Sequence, residues 1–245
     1  MSVPRLNDEQ RGEEILAVFD TAFGRLLAAD PAAFRVKFRK MAASAFAFYR
    51  GTACLFYHDL DAEKRGGPYL DERTSRVWIH GDLHAENFGT YMDANGRLVF
   101  DVNDFDEAYL GHFTWDLRRF LASLALLGWQ KALPEEDIRS LIARYVRAYL
   151  KQVDHYVTTE QDDDFALHLD NTEGPVRDAL VSARKIRRAD LLDEMTYVDA
   201  GVRMFAHDSS VRPLGKRQRA QVEKAFASYL DTIPRSKRFD RDLFY

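Results

Sequence analysis

A single cysteine, Cys54, among 245 residues excludes an internal disulfide, and with it the class of small secreted domains stapled by several bridges. It lies in the apolar run TACLFY, where a small buried hydrophobe is the expected role. No stretch approaches the roughly 18 uninterrupted apolar residues of a membrane span. The longest, FLASLALLGW at 120–129, has the length of a core helix. The start, MSVPRLNDEQRGEE, lacks the basic opening and apolar run of a secretory signal. Neither sign of charge dominates: a net charge of −4 and a pI near 6.0 offer no electrostatic case for nucleic acid or an anionic membrane as partner. The basic runs RKIRR (184–188) and GKRQR (215–219) read as solvated helix faces. No repeat or low-complexity tract is visible. A cytoplasmic location is expected.

What is present is ordinary globular material, 46% hydrophobic and 30% charged. Ile15, Leu16, Phe19, Phe23, Leu26 and Leu27 recur at helical spacing between residues 8 and 29. The dipeptide DP at 30–31 then reads as an N-cap followed by proline at the first helical position. A second helix is predicted to about Ala43, and SAFAFYRGTACLFYHDL as a loop entering a third that KRGGP (64–68) ends. From 76 the texture changes: RVWIH, NFGTYM and RLVFDV are short β-type runs, the last two joined by the turn signal DANG (93–96). Helical patterns return at 114–130, 133–153, 173–187, 189–195 and 216–231, with acidic TTEQDDDF (158–165) as a loop. The expected fold is α+β and predominantly helical. It forms one domain over 1–245, with a helical N-terminal part to 75, a part over 76–130 that holds the polar loop and the hairpin, and a helical part over 131–245.

Polar residues concentrate at two strand ends. The run VWIHGDLHAENFGTY (77–91) carries His80, Asp82, His84 and Asn87 after a strand, with Gly81 permitting a sharp turn. About fifteen residues on, DVNDFDEA supplies Asp101, Asn103, Asp104, Asp106 and Glu107. Pairing through the turn at 93–96 would bring these clusters together. Carboxylates and an asparagine amide are hard oxygen donors, suited to Mg²⁺ or Mn²⁺. His80-x-Asp82-x-His84 could alternatively cage the metal of a metal-dependent hydrolase. Alternating residues share a side only in extended backbone, however, and Gly81 argues for a turn.

HGDLHAEN resembles the catalytic loop of the aminoglycoside-phosphotransferase and choline-kinase type of kinase-like enzymes, His-Gly-Asp-x-His-x-x-Asn. DFDEA (104–108) resembles their metal-binding segment, and WDLRRF (115–120) the helix start that follows. FAFYRGTA, HGDLHAENFG, RLVFDVNDFDEA and WDLRRFLASL together resemble the bacterial family numbered 2252 among domains of unknown function, over roughly 35–245. The resemblance implies a protein-kinase-like catalytic lobe with a small β-hairpin cluster. The implied ligands are ATP and Mg²⁺, and the implied acceptor is a small-molecule hydroxyl or amine. Asp82 then matches the aspartate that accepts or orients the proton of the attacking group, and Asn87 and Asp104 match the magnesium ligands. His80 and His84 read as supports of the loop. Asp106 stands where kinases commonly have glycine, with a second metal ligand as the alternative. Asp101 and Asn103 read as strand-end and turn residues, and Asp116 as a helix cap or partner of the loop backbone. Arg50, in FYRGTA, would meet a phosphate or a carboxylate.

The kinase pattern also requires a glycine-rich phosphate loop and a lysine-bearing strand. The first 75 residues are helical and contain no Gly-x-Gly-x-x-Gly, and Lys37 in FRVKFRK falls within a helical pattern, a poor substitute. In longer members of the family such a segment follows the helical region, and this chain ends on DLFY about where it would begin. The expectation is a truncated member without its nucleotide lobe, either weakly active or a non-catalytic pseudokinase or binding module. Asp82→Asn is expected to abolish turnover with little loss of stability.

Overall fold

The structure is a computed structural model, which describes residues 7–62, 73, 76–159, 165–186, 188–206 and 213–234. KRGGP at 64–68, most of the acidic segment (160–164) and the C-terminal RSKRFDRDLFY lie outside the described residues. The fold is α+β and mostly helical. The chain divides into two compact units, Met1–Ala183 and Arg184–Tyr245.

In the first unit, α1 (Asp8–Ala29) opens with a reciprocal cap: the Asn7 side chain accepts from Gln10 N at 2.8 Å and the Gln10 side chain accepts from Asn7 N at 3.1 Å. Asp30 caps α2 (Pro31–Met41) by accepting from Ala33 N at 3.0 Å. Pro31 occupies the first turn, where its missing N–H is no loss. Phe19 and Phe23 on α1, like Phe34 and Phe38 on α2, are four residues apart and share a face, so the rings meet across the helices. Centroids are 6.0 Å apart for Phe19–Phe38 and 5.7 Å for Phe23–Phe34.

The stretch expected to hold one further helix forms two, α3 (Ala45–Arg50) and α4 (Ala53–Ala62). The break has a local cause. Gly51 packs so closely on Met41 that a Cβ would lie 2.6 Å from its Cγ. Beside it the Thr52 hydroxyl donates back to Phe48 O at 2.8 Å, a side-chain bond that competes with regular helix continuation. Arg11 reaches from α1 to α4 and grips Asp59 with two bonds of 2.8 and 2.7 Å.

Three strands fall within the short β-type runs: β1 (Val77–Ile79), β2 (Phe88–Met92) and β3 (Leu98–Val102). The hairpin of β2 and β3 pairs Phe88 with Val102 through Met92 with Leu98. Its turn uses Gly96 at φ 74°, and Asp93 accepts from the backbone of Asn95 and Arg97 at 2.9 and 2.8 Å. A fourth strand, β4 (Tyr109–Gly111), is too short to show alternation, and it pairs antiparallel with β1. Helices α5 (Phe113–Gln130) and α6 (Glu135–Thr159) pack closely at Gly128, where a Cβ would meet Ile138 Cγ1 at 2.7 Å. α6 takes in the first two residues of the segment expected to be an acidic loop. α7 (Gly174–Lys185) follows and buries Leu180 completely. The core of this unit includes Phe46, Ile79, Leu83, Val99 and Phe120.

The second unit holds α8 (Arg188–Met195), the hairpin of β5 (Thr196–Asp199) and β6 (Val202–Phe205), and α9 (Lys216–Thr232). The hairpin is an addition to the helical reading of this region. Its two-residue turn places Ala200 at φ 46° and Gly201 at φ 81°, the pair of positive angles that a tight hairpin needs. No helix among the described residues is long and apolar enough to cross a membrane.

Candidate active site

The site is built from the loop that leaves β1. At Gly81 the backbone adopts φ +85°, and a Cβ there would stand 1.9 Å from the carbonyl oxygen of Glu107. Only glycine fits, because both the angle and the close approach exclude a side chain. Asp116, in the first turn of α5, then accepts from His80 N at 2.6 Å and Gly81 N at 3.1 Å. Tyr57 of α4 donates its hydroxyl to Gly81 O at 2.5 Å. Two helices thus hold one turn.

His80 locks the second strand end to the first. Its Nε2 lies 2.8 Å from the carbonyl oxygen of Asn103, and its Nδ1 lies 3.2 Å from Asp82 N. A carbonyl only accepts and an amide N–H only donates, so one arrangement satisfies both: a ring protonated on Nε2 and bare on Nδ1. Asn87, at the end of a short 3₁₀ turn and 4% exposed, donates from Nδ2 to Asp82 O at 2.9 Å. Asn103 N donates in turn to Asn87 O at 2.9 Å. The polar loop is therefore a bonded frame.

Asp82 is aimed by this frame and clamped by a residue of α5. Arg119 is fully buried, and its Nε donates to Asp82 Oδ1 at 2.5 Å while its Nη2 donates to Tyr49 O at 3.0 Å. The guanidinium also lies over the rings of Tyr49 and Phe56, at 4.6 and 5.1 Å. Asp82 Oδ2 has no partner among the described residues. Burial pushes the Asp82 carboxyl above the usual range, with Arg119 pulling the other way. His84 is 2% exposed, stands edge-on to Phe46 and leaves Nδ1 without a partner. Burial, with the positive charges of Arg119 and Arg50, pushes its ring down to about 4, so it is neutral at pH 7.

A cleft of about 520 Å³ opens beside these groups, lined by Asp82, His84 and Asp104 and, from α2 and α3, by Lys37, Lys40 and Arg50. Asp104 takes φ 64°, a left-handed angle uncommon for a residue with a side chain and the kind of local strain that gathers at functional sites.

A profile of the family described as "Uncharacterized protein conserved in bacteria (DUF2252)" matches residues 28–245. The chain belongs to this family. No curated protein and no solved structure matches.

The structure brings together most of the residues singled out in this DUF2252 chain. Asp82, His84, Asp104 and Arg50 line one cleft; His80, Asn87 and Asp116 shape the loop, Asp116 as a partner of its backbone. Arg50 meets a carboxylate, Glu86, at 2.5 Å on an exposed edge. Asp106 is exposed and does not line the cleft, and the Asp101 side chain accepts from Val102 N at 2.7 Å as a strand residue. A His80-Asp82-His84 metal cage is not formed. Both ring nitrogens of His80 are engaged with backbone, and no three His, Cys, Asp or Glu residues converge on a metal position among the described residues. For a hard cation the donors differ. Asn87 Oδ1 has no hydrogen-bond partner among the described residues, and exposed Asp104 lines the cleft, so each offers an oxygen donor of the type magnesium takes.

Arg119, Tyr57 and Ser123 were not singled out from the sequence. Ser123 is fully buried and accepts from Ala85 N at 3.0 Å, completing the support of the loop. A signal existed: Asp116, Arg119, Phe120 and Ser123 follow the i, i+3, i+4, i+7 stripe of one helix face. Given that Asp116 faces the loop, Arg119 faces it too and Arg118 does not.

Proposed function

We propose that this chain is a kinase-like phosphotransferase lobe, moving a phosphoryl group from Mg-ATP to a hydroxyl or amine of a small molecule. The observation that carries the reading is the state of Asp82: Oδ1 is held by buried Arg119, Oδ2 has no partner among the described residues, and Asp82 lines a cleft with Asp104. A carboxylate fixed in direction, with its proton affinity raised by burial, suits the acceptance of a proton from an attacking hydroxyl. As that O–H bond breaks towards Asp82, the acceptor oxygen bonds to the γ-phosphorus and the nucleoside diphosphate leaves with the bridging oxygen's electron pair. Magnesium, when bound, neutralises phosphate charge, and Asn87 Oδ1 and the Asp104 carboxylate are the groups that would hold it. The remaining frame of His80, Gly81, Asp116 and Tyr57 orients the loop, which is most of what phosphoryl transfer asks of a protein.

The test is consumption of Mg-ATP by the full chain across a panel of small hydroxyl and amine acceptors, with Asp82→Asn as comparison. Turnover by the wild type, lost in the variant while near-ultraviolet circular dichroism is kept, is the expected result. Equal turnover in the variant refutes the role of Asp82. Nucleotide binding without turnover in either protein would point to the non-catalytic binding module.

A further inference from the structure

The proposed transfer needs cations to hold phosphate, and the sequence offers no glycine-rich loop for it. The geometry points to α2: Lys37 and Lys40, with Arg50 of α3, form the grip for the condensed phosphate tail of a nucleotide, in the cleft that Asp82 and Asp104 also line. This rests on the phosphotransferase reading for the identity of the ligand.

Lys37 and Lys40 are three residues apart on α2 and line the same cavity, so two like charges share one face. Neither forms an ion pair among the described residues, although the chain as a whole is acidic. The Lys37 ammonium sits 4.5 Å from the centroid of the Phe23 ring, which fixes its position without neutralising it. Arg50, 2.5 Å from exposed Glu86, adds a third cation at the same wall. Between these charges the lining has the small residues Ala33 and Ala47 and the apolar side chains of Val36 and Met41.

A second, independent observation is His84. It lines the same cleft at 2% exposure, and its buried ring nitrogen Nδ1 has no hydrogen-bond partner among the described residues. A buried polar ring left unsatisfied is uncommon, and a phosphate oxygen within the cleft would accept its N–H. The volume of about 520 Å³ also falls within the range of small-ligand sites, roughly 300–1,000 Å³.

The probe is inorganic tripolyphosphate, titrated calorimetrically into the full chain with Mg²⁺. The expected result is saturable binding, weakened by about 10-fold or more in Lys37→Gln/Lys40→Gln. Lys37→Arg/Lys40→Arg is expected to bind within about 3-fold of wild type, since charge and donors are kept. Arg39→Gln, on the same helix but outside the cleft lining, should bind as wild type. Lys40→Gln alone, at an exposed position without an ion pair among the described residues, provides a folded variant should the double substitution misfold, and it should still weaken binding. AMP and orthophosphate should compete poorly, and ATP well, if the tail is the recognised part. No binding by wild type, unchanged binding in the Gln variants, or an equal loss in Arg39→Gln overturns the inference. The transfer reading is judged separately by Asp82-dependent turnover: lysine-dependent tripolyphosphate binding without turnover keeps the grip and sinks the chemistry, and the converse keeps the chemistry alone.

Discussion

Removing either half of the Asp82–Arg119 pair should destabilise the protein, and removing both should cost less than the sum. Arg119 has no exposed surface and Asp82 has a side chain 19% exposed, so each shields the other from the cost of a charge out of water. Arg119→Met leaves a carboxylate facing an apolar pocket. Breaking such a pair costs about 3–5 kcal/mol, and the partial exposure of Asp82 sets the lower end, about 3 kcal/mol. Asp82→Asn keeps an oxygen for Arg119 Nε and loses only the opposing charge, which should cost about 1–2 kcal/mol. Seen from sequence alone, that substitution in a surface loop would be nearly free; the buried arginine is why it is not. The double variant should show a coupling of about 1–3 kcal/mol, within the usual range for residues in contact. Urea denaturation of the four proteins, followed by near-ultraviolet circular dichroism, measures the cycle. Additivity within about 0.5 kcal/mol would refute the claim that the two charges stabilise one another.

Gly81→Ala should destabilise by about 3 kcal/mol or more, through both its positive φ and the approach to Glu107 O, and a midpoint shift in urea under about 1 kcal/mol would contradict that geometry. Asp104→Gly should act in opposite directions on stability and function: it relieves a left-handed angle and stabilises by up to about 1 kcal/mol, while Mg²⁺-dependent nucleotide affinity falls, as calorimetry would record. His84 gives a pH dependence whose sign follows from its depressed value. Above pH 6.5 the ring is neutral folded and unfolded, and its contribution is complete; as pH falls towards about 4 the unfolded chain takes the proton first and stability is lost. Allowing for solvent screening, the loss is about 1–2 kcal/mol. His84→Asn should flatten the fall in urea midpoint across that window, and an unchanged fall would assign it to other groups.

Much of this architecture is local and therefore legible in the chain. The capped junction at Asp30 and Pro31 depends on residues within one turn of each other, and so does the hairpin at 93–96. The glycine turn at 81 could be read because a strand must reverse there, and the two polar clusters because a hairpin of known register brings its ends together. The division of α3 from α4 could not be read, since it depends on Gly51 meeting Met41 of another helix. The short strand β4 exists only through its pairing with β1.

The sequence by itself determined which residues could do chemistry: the acids, the amide and the histidines of HGDLHAEN and DFDEA, at a spacing that limits them to a loop and a strand end. Tertiary structure alone decided which of those groups are free. It occupied both nitrogens of His80, spent Asp116 on two backbone amides, tied one oxygen of Asp82 to Arg119 and left the other open. It also put Lys37 and Lys40, which read along the chain as one helix face among many, in the lining of the cleft that Asp82 lines. The physical reason is that residue type sets what a group can donate, accept or carry, whereas the partners that use up or spare that capacity come from distant segments.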